Sequence, residues 1–524
     1  MFIRKKGTGQ YQYLQLVENR REGARVVQRV LCTLGRVDHL IVTGATDALL
    51  RSLSRFSRHV SLIDDFQQGR LEAGTIRQIG PDLIFGRLWQ ETGIQDVVQE
   101  RLHHRQFEFG VEQAVYLTVL HRLFESGSDR AAEQWKRDVS MPGGESLQLH
   151  HLYRAMRWLG ENKDDIEEAL FHRRQDMFTE LSLAFFDTTS LYFEGVGGES
   201  LGQYGHSKDH RPDLKQMVMG AVLTGEGQPV CCEMWPGNHA DGAALLPVVD
   251  KLRQRFGLTR VCWVADRGMI SQQVIEGLEK RHLEYILGAR MRRQREVRDD
   301  VLERGGRYHE VADNLRVKEV WVNDRRYIIC HNPQEAVKDA ADREAIVQSL
   351  QDQLQDGSSR LVGNSGYRKF LRLEKDAVSI NMEKVADEVR YDGKFVLRTN
   401  TRLPAAEVAL QYKRLLLVEQ FFRATKSMLQ SRPIFHQWDA TIRGHVFCSF
   451  LALLLHQELQ SRLKAHGDTC EWGAIRRDLE TLAKVQVREG EQWYTLRTAL
   501  QGVTGKVFQA VGVAVPPPVK PINL

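Results

Sequence analysis

Nothing in this sequence provides a disulfide framework. Its seven cysteines (Cys32, Cys231, Cys232, Cys262, Cys330, Cys448 and Cys470) include no Cys-x-x-Cys pair. An odd number without a pattern fits a reducing cytoplasm. Cys231, Cys232 and Cys262 lie in apolar runs and read as buried thiols. Long apolar runs are missing too. The longest, 446–455, is too short to cross a bilayer and is interrupted by Cys448 and Ser449. Behind Met1, Phe2-Ile3-Arg4-Lys5-Lys6 leads into no apolar signal core. These absences point away from a membrane and toward a cytoplasmic protein. The pairs His103-His104 and His150-His151 have no carboxylate or cysteine at ligand spacing, so they read as surface residues. Neither sign of charge dominates, with Lys+Arg 73 against Asp+Glu 68 and a net charge of +5. Arginine is nonetheless locally clustered. That balance suits a protein that meets phosphate at particular surfaces and keeps carboxylates elsewhere.

What is present is a chain of 524 residues, enough for several domain-sized units or one elaborated core. Residues 11–17 alternate, 19–23 supply a turn, and 25–31 return as a second strand. Arg20, Arg21, Arg25, Arg29 and Arg36 decorate this hairpin, either as solvated surface or as a platform for a DNA backbone. Residues 51–74 read as a polar linker. From 81 to 174 the pattern is helical, with segments at 83–92, 94–102, 111–124 and 149–162, and a helix start at Ser126-Gly127-Ser128-Asp129-Arg130.

The core begins at Leu181. Leu183-Ala184-Phe185-Phe186 runs straight into Asp187, a carboxylate in the middle of an apolar strand. Such a position tolerates a charge only if the charge is paired or binds a cation. A basic, Gly-rich loop from Gly202 to Asp213 carries His206, Lys208 and Arg211. Two more strands follow at 215–222 and 229–235, then a helix at 242–256 for which Asp241 fits the cap. The next strand, 260–265, ends in Asp266-Arg267-Gly268; a helix starts after Ser271 and a fifth strand spans 283–288. Three meandering strands followed by helix-linked strands form the ribonuclease H-like plan. Its first and fourth strands are neighbours, which sets Asp187 beside Asp266 as a floor for divalent metal.

Residues 290–400 interrupt the regular pattern with a basic burst at 290–298, a hairpin turning at Asn323-Asp324, a charged helix at 335–354, and strands at 369–379 and 395–398. Then comes a Gly- and Pro-free stretch in which Tyr412, Glu419 and Lys426 stand seven apart, with Arg423 one turn beyond Glu419. On one continuous helix all three share a face. A long apolar helix at 439–463 carries Arg443 and His445 at its start.

Two strand aspartates and a helix glutamate on this plan resemble the DDE transposases. The insertion and the Tyr412/Glu419/Lys426 stretch are similar to the bacterial cut-and-paste insertion-sequence transposases that carry a β-rich insertion and a Tyr-Arg-Glu-Lys signature. The loop 205–214 and Ile442-Arg443-Gly444-His445-Val446-Phe447 also look like family sequence. In the signature the arginine stands three after the tyrosine. Here that position is Leu415, with Arg414 one residue earlier and Arg423 as the other substitute.

The resemblance implies an α/β fold: a ribonuclease H-like catalytic core with a β-rich insertion, preceded by a small β-hairpin region and a helical domain and followed by a helical C-terminal region. The expected division is 1–60 for the hairpin region, with possible DNA contact, and 75–178 for a DNA-end-binding helical domain. The core takes 179–289, the insertion 290–400 and the glutamate helix 401–432, leaving 433–524 for a helical region and tail available for dimerisation. Asp187 is expected to bridge two Mg²⁺ ions, with Mn²⁺ as a substitute, while Asp266 ligates one and Glu419 the other. Tyr412 and Lys426 would hold phosphates beside the scissile bond. Arg414, Arg423, Arg267, His206, Lys208, Arg211, Arg443 and His445 are the remaining expected DNA contacts. Trp321 alternates with Val320 and Val322 and so reads as a packed strand residue; the resemblance offers stacking on a flipped base as its alternative. The implied partners are double-stranded DNA, at element ends and target, and a second copy in a synaptic homodimer. The implied location is the nucleoid. A metal-dependent nuclease or resolvase of the same fold and a catalytically silent DNA-binding copy are the alternatives.

Overall fold

A computed structural model describes residues 1–22, 25–54, 71–103, 105–174, 182–257, 261–356, 369–374, 377–489 and 492–522. His104, Leu181 and most of the expected linker lie outside the described residues. The chain forms two compact units. One comprises Met1–Gln78, Glu480–Gln501 and Val515–Leu524; the other comprises Ile79–Leu479 and Gly502–Ala514.

The strands, in chain order, are β1 (Phe2–Thr8), β2 (Tyr11–Glu22), β3 (Arg25–Arg36), β4 (Leu71–Gln78), β5 (Leu183–Tyr192), β6 (Gln216–Thr224), β7 (Pro229–Pro236), β8 (Cys262–Ala265), β9 (Glu284–Gly288), β10 (His309–Ala312), β11 (Leu315–Val322), β12 (Arg325–His331), β13 (Leu371–Glu374), β14 (Ala377–Ile380), β15 (Lys394–Thr399), β16 (Ala483–Glu489), β17 (Gln492–Arg497) and β18 (Val519–Ile522). In the first unit the expected hairpin is β2–β3, and β1 adds a third strand to it. The polar stretch read as linker ends in β4. Together with β16, β17 and β18 it makes a four-stranded sheet, in the order β18-β17-β16-β4. The C-terminal region expected to be helical therefore closes in strands. Within 483–487, Ala483 and Val487 are buried on one face and Gln486 is exposed on the other, a period of two that helix-seeking spacing passes over.

The second unit is built on a nine-stranded mixed sheet, ordered β10-β11-β12-β15-β9-β8-β5-β6-β7. β5 runs antiparallel to β6 and parallel to β8, with Phe186 opposite Ala265. The expected neighbourhood of the first and fourth core strands is thus present. β6 is buried along its whole length, as its near-continuous apolar sequence requires of a strand covered on both faces. Helices Asp241–Phe256 and Gln272–Lys280 share one buried cluster with β5, β8 and β9, including Phe186, Trp263 and Tyr285. The other face is covered by helices Ala405–Lys413, Leu416–Arg423 and Asp439–Ala465. β10, β11, β12 and β15 extend the core sheet, while among the described residues only β13 and β14 make a separate two-stranded sheet within the insertion. Its hairpin β11–β12 turns at Asn323 (φ 50°) and Asp324 (φ 59°), and the left-handed pair is what a two-residue hairpin turn requires. β12 then pairs with β15, and β15 with β9 of the core.

The helices between residues 80 and 173 follow the expected segments closely. Ser128 Oγ accepts from Ala131 N at 3.3 Å and caps Asp129–Trp135. His151 Nδ1 accepts from Gln148 N at 3.1 Å, closing the capping box of Leu149–Glu161. This helix packs on Asp439–Ala465 through two glycines. A Cβ on Gly160 would meet the Ala440 carbonyl and lie 2.7 Å from Gly444 N, and one on Gly444 would meet the Met156 carbonyl. Among the described residues, no helix is long and apolar enough to cross a membrane.

Candidate active site

Asp187 sits in the middle of β5 and Asp266 directly follows β8, so the parallel register brings the two acids side by side. Asp187 Oδ1 accepts from Thr188 N at 2.7 Å. Burial pushes the Asp187 carboxyl up to about 6 against the pull of Lys208, and the Asp266 and Asp241 charges push the same way as burial. Carboxylates on two adjacent strands, one of them half-buried, offer an all-oxygen floor. Such a floor suits a hard divalent cation.

Asp266, Tyr412 and Glu419 line one cleft of about 690 Å³, together with Arg267, Arg290, Arg292, Arg293 and Lys394. The Tyr412 hydroxyl donates to Asp266 Oδ1 at 2.8 Å, and its ring stacks on Phe395 with centroids 5.8 Å apart. Burial, then the Asp266 charge, raises the phenol above its usual range, so it remains a donor. Tyr412 thus orients a carboxylate in this structure. Gly288 makes this possible: a Cβ there would collide with the Tyr412 hydroxyl and lie 2.9 Å from Arg267 N. Arg290 holds the turn after Asp266, its Nε donating to the Arg267 carbonyl and its Nη2 to the Gly268 carbonyl, both at 2.8 Å. The basic burst at 290–298 was visible in the sequence, but its place in this cleft was not.

The Tyr412–Lys426 stretch is not one continuous helix. Ala405–Lys413 and Leu416–Arg423 are separated at Arg414-Leu415, where Leu415 N bonds Tyr412 O and Val418 N bonds Leu415 O, both at 3.0 Å, in tightened i→i−3 turns. Ala424–Met428 then widens into a π-helical turn. Seven-residue spacing therefore does not keep the three signature residues on one face. Glu419 is exposed on the cleft. Lys426 is turned to Asp209, 2.8 Å away, and Arg432 reaches the same Oδ1 at 2.6 Å. Lys426 is committed to this inner ion pair, and burial lowers its pKa. Asp209 was not singled out from the sequence; its signal was a lone acid among His206, Lys208, His210 and Arg211.

The remaining expected contacts are dispersed. Leu415, at the signature's arginine position, is buried. Arg414 lies with Lys413, Leu416 and Glu226 in a separate hollow, not in the cleft. Arg423, Arg267 and His206 are exposed, and Arg443 is half-buried. Arg211 is exposed and paired with Asp213, with its guanidinium over the Tyr192 ring. Lys208 bonds the Thr188 carbonyl at 2.7 Å. His445 is buried. Its Nδ1 accepts from Arg122 Nη2 at 2.8 Å, which leaves Nε2–H to donate to the Ser431 carbonyl at 3.1 Å. Trp321, expected to pack, is 57% exposed, with its indole donating to Glu319.

Among the described residues, the only trio of candidate metal-ligand atoms within 4.8 Å of one another is Asp164, Glu167 and Glu233. These three acids face Lys163, Lys251 and Arg255 at ion-pair distance. Cations already balance this knot, of which only Glu167 is fully buried; it joins the helix Lys163–Arg173 to β7 and the helix Asp241–Phe256.

Residues 179–455 match the transposase DDE domain, and residues 2–65 match the N-terminal domain of IS1634 family transposases. The chain belongs to the insertion-sequence DDE transposases. No curated protein matches it. Among solved structures, a Mos1 transposase paired-end complex with left transposon end is 13% identical with a TM-score of 0.15, and a pre-cleavage Mos1 transpososome is 12% identical with a TM-score of 0.15. Each match covers 34% of this chain and 60% of the Mos1 chain.

Proposed function

We propose that this chain is a DNA transposase with a ribonuclease H-like core, in which Asp187, Asp266 and Glu419 hold divalent metal for phosphodiester cleavage and transfer of 3′-hydroxyl ends. The observation that carries the reading is that Asp187 and Asp266 each directly follow the paired Phe186 and Ala265 of adjacent parallel strands, beside a cleft that Asp266, Glu419 and several cations line. Bound Mg²⁺ or Mn²⁺ would activate a water or 3′-hydroxyl nucleophile and stabilise charge on the phosphoryl oxygens. Asp187 is held by the Thr188 amide and Asp266 by the Tyr412 hydroxyl, so both donors are oriented before any cation binds. Arg267, Arg292, Arg293 and Lys394 give the cleft a basic wall for the phosphates on either side of the cut. The N-terminal region would read element ends, and two copies would join them in a synapse.

The test is cleavage of linear DNA carrying the element's ends, in Mg²⁺, Mn²⁺, Ca²⁺ or chelator, with wild type, Asp187→Ala and Glu419→Ala. Metal-dependent nicking at the element boundary that both variants lose, with end binding kept, is expected. Cleavage without joining would assign a nuclease. Binding without cleavage in wild type would assign a silent DNA-binding copy.

A further inference from the structure

Asp241 begins the helix Asp241–Phe256 but does not cap it; Ala240 holds the cap position and makes no side-chain cap bond. The Asp241 carboxylate turns instead to β5. Thr188 Oγ1 donates to Asp241 Oδ1 at 2.7 Å, and the Lys208 ammonium stands 3.2 Å from Oδ2. The same ammonium donates to the Thr188 carbonyl at 2.7 Å and to Thr188 Oγ1 at 3.0 Å. Lys208 N also donates to Ser190 Oγ at 2.8 Å, which fastens the loop to the strand. Asp241 Oδ2 lies 4.0 Å from the Cβ position of Gly268, in the turn that follows Asp266. A fourth carboxylate therefore stands beside the two strand aspartates. A lysine ammonium is seated among its oxygens, where a hard cation would otherwise find donors.

We propose that Lys208 and Asp241 form a positioning pair, in which the ammonium is the built-in counter-ion of a fourth carboxylate and keeps it out of metal coordination. The pair leaves the site with the net charge of its other three acids. Lys208 is also the strongest charge holding the Asp187 carboxyl down, against both Asp266 and Asp241. Without the ammonium, Asp241 becomes a further oxygen donor and the site gains a full negative charge. With the ammonium but without the Asp241 charge, the site carries one positive charge too many.

The inference rests on the metal-site reading of Asp187, Asp266 and Glu419, and its test needs no DNA. Ca²⁺ binding to the full chain is measured by calorimetry for wild type, Lys208→Met, Lys208→Arg, Asp241→Asn and Lys208→Met/Asp241→Asn. Lys208→Met should bind Ca²⁺ about tenfold more tightly and Asp241→Asn about tenfold more weakly, while Lys208→Arg and the double variant should return near wild type. If Lys208→Met does not fold, the weakening in Asp241→Asn still decides. Unchanged Ca²⁺ affinity in the single variants overturns the proposal, and weaker DNA binding alongside it would make Lys208 a plain phosphate contact. Wild type that binds no Ca²⁺ overturns both this proposal and the metal-site reading.

Discussion

The Tyr412 hydroxyl and the Asp266 carboxylate are joined by a 2.8 Å hydrogen bond across 146 residues of chain. The bond ties the glutamate-bearing segment to the strand that presents the second aspartate. Tyr412→Phe keeps the stack on Phe395 and removes only this donor. Cleavage is expected to fall about 10- to 100-fold, as for other partners of metal ligands, and the metal concentration for half-maximal cleavage should rise. A loss of DNA binding with unchanged metal dependence would return Tyr412 to phosphate.

Gly288→Ala places a methyl group on the Tyr412 hydroxyl. The expected cost is about 1–3 kcal/mol of stability, as for overpacking elsewhere. Adding Tyr412→Phe removes the nearer of the two colliding atoms and leaves the approach to Arg267 N, so the double variant should be more stable than the sum of the singles without returning to wild type. Urea denaturation of the four proteins measures this coupling, and strict additivity would refute the contact.

Lys426 and Asp209 are largely buried, with side chains 12% and 6% exposed. Breaking a buried pair from one side typically costs ~3–5 kcal/mol. Lys426→Met and Asp209→Asn should both destabilise by amounts of that order, with the double variant well short of their sum. If Lys426→Met weakens DNA binding at unchanged stability, the lysine serves phosphate and the ion pair is incidental.

His121 is buried against the Trp135 ring, and burial, aided by Arg122, lowers its pKa to about 3. The unfolded chain takes up this proton near pH ~6.5 while the folded chain does not. Its contribution to stability is therefore full above about pH 6.5 and is lost as pH falls toward the folded value. Denaturation midpoints at pH 7 and pH 5 should differ less in His121→Leu than in wild type. Equal pH dependence in the two would exclude His121 as a source.

The aspartates were legible because an acid inside Leu183-Ala184-Phe185-Phe186 and another at the end of an apolar strand conflict with burial. Strand order then placed them together. Glu419 was legible by spacing to Tyr412, but the helix that spacing assumed is broken at Arg414-Leu415. Hydrogen-bond slippage of this kind leaves no trace in apolar periodicity. Lys426 and His445 show a second limit. A basic residue in a family-like motif reads as a DNA contact, yet an inward salt bridge or a buried tautomer uses the same letters. Asp241 shows a third: as a helix-start residue it satisfied a local rule, and only the fold revealed Thr188 and Lys208 across from it.

The seam between β9 and β15 sets how this unit can be exchanged. Ile286, Leu287 and Gly288 pair across it and Ala289 N adds a bond to the Val396 carbonyl, and behind it stand β12, β11 and β10 in unbroken succession. Deleting residues 290–400 would strip a neighbour from β9 and leave a bare, apolar edge, which invites intermolecular pairing. Chimaeras between relatives should carry the insertion as one cassette, with junctions after Ala289 and after Asn400, and trimmed versions should be recovered as aggregates.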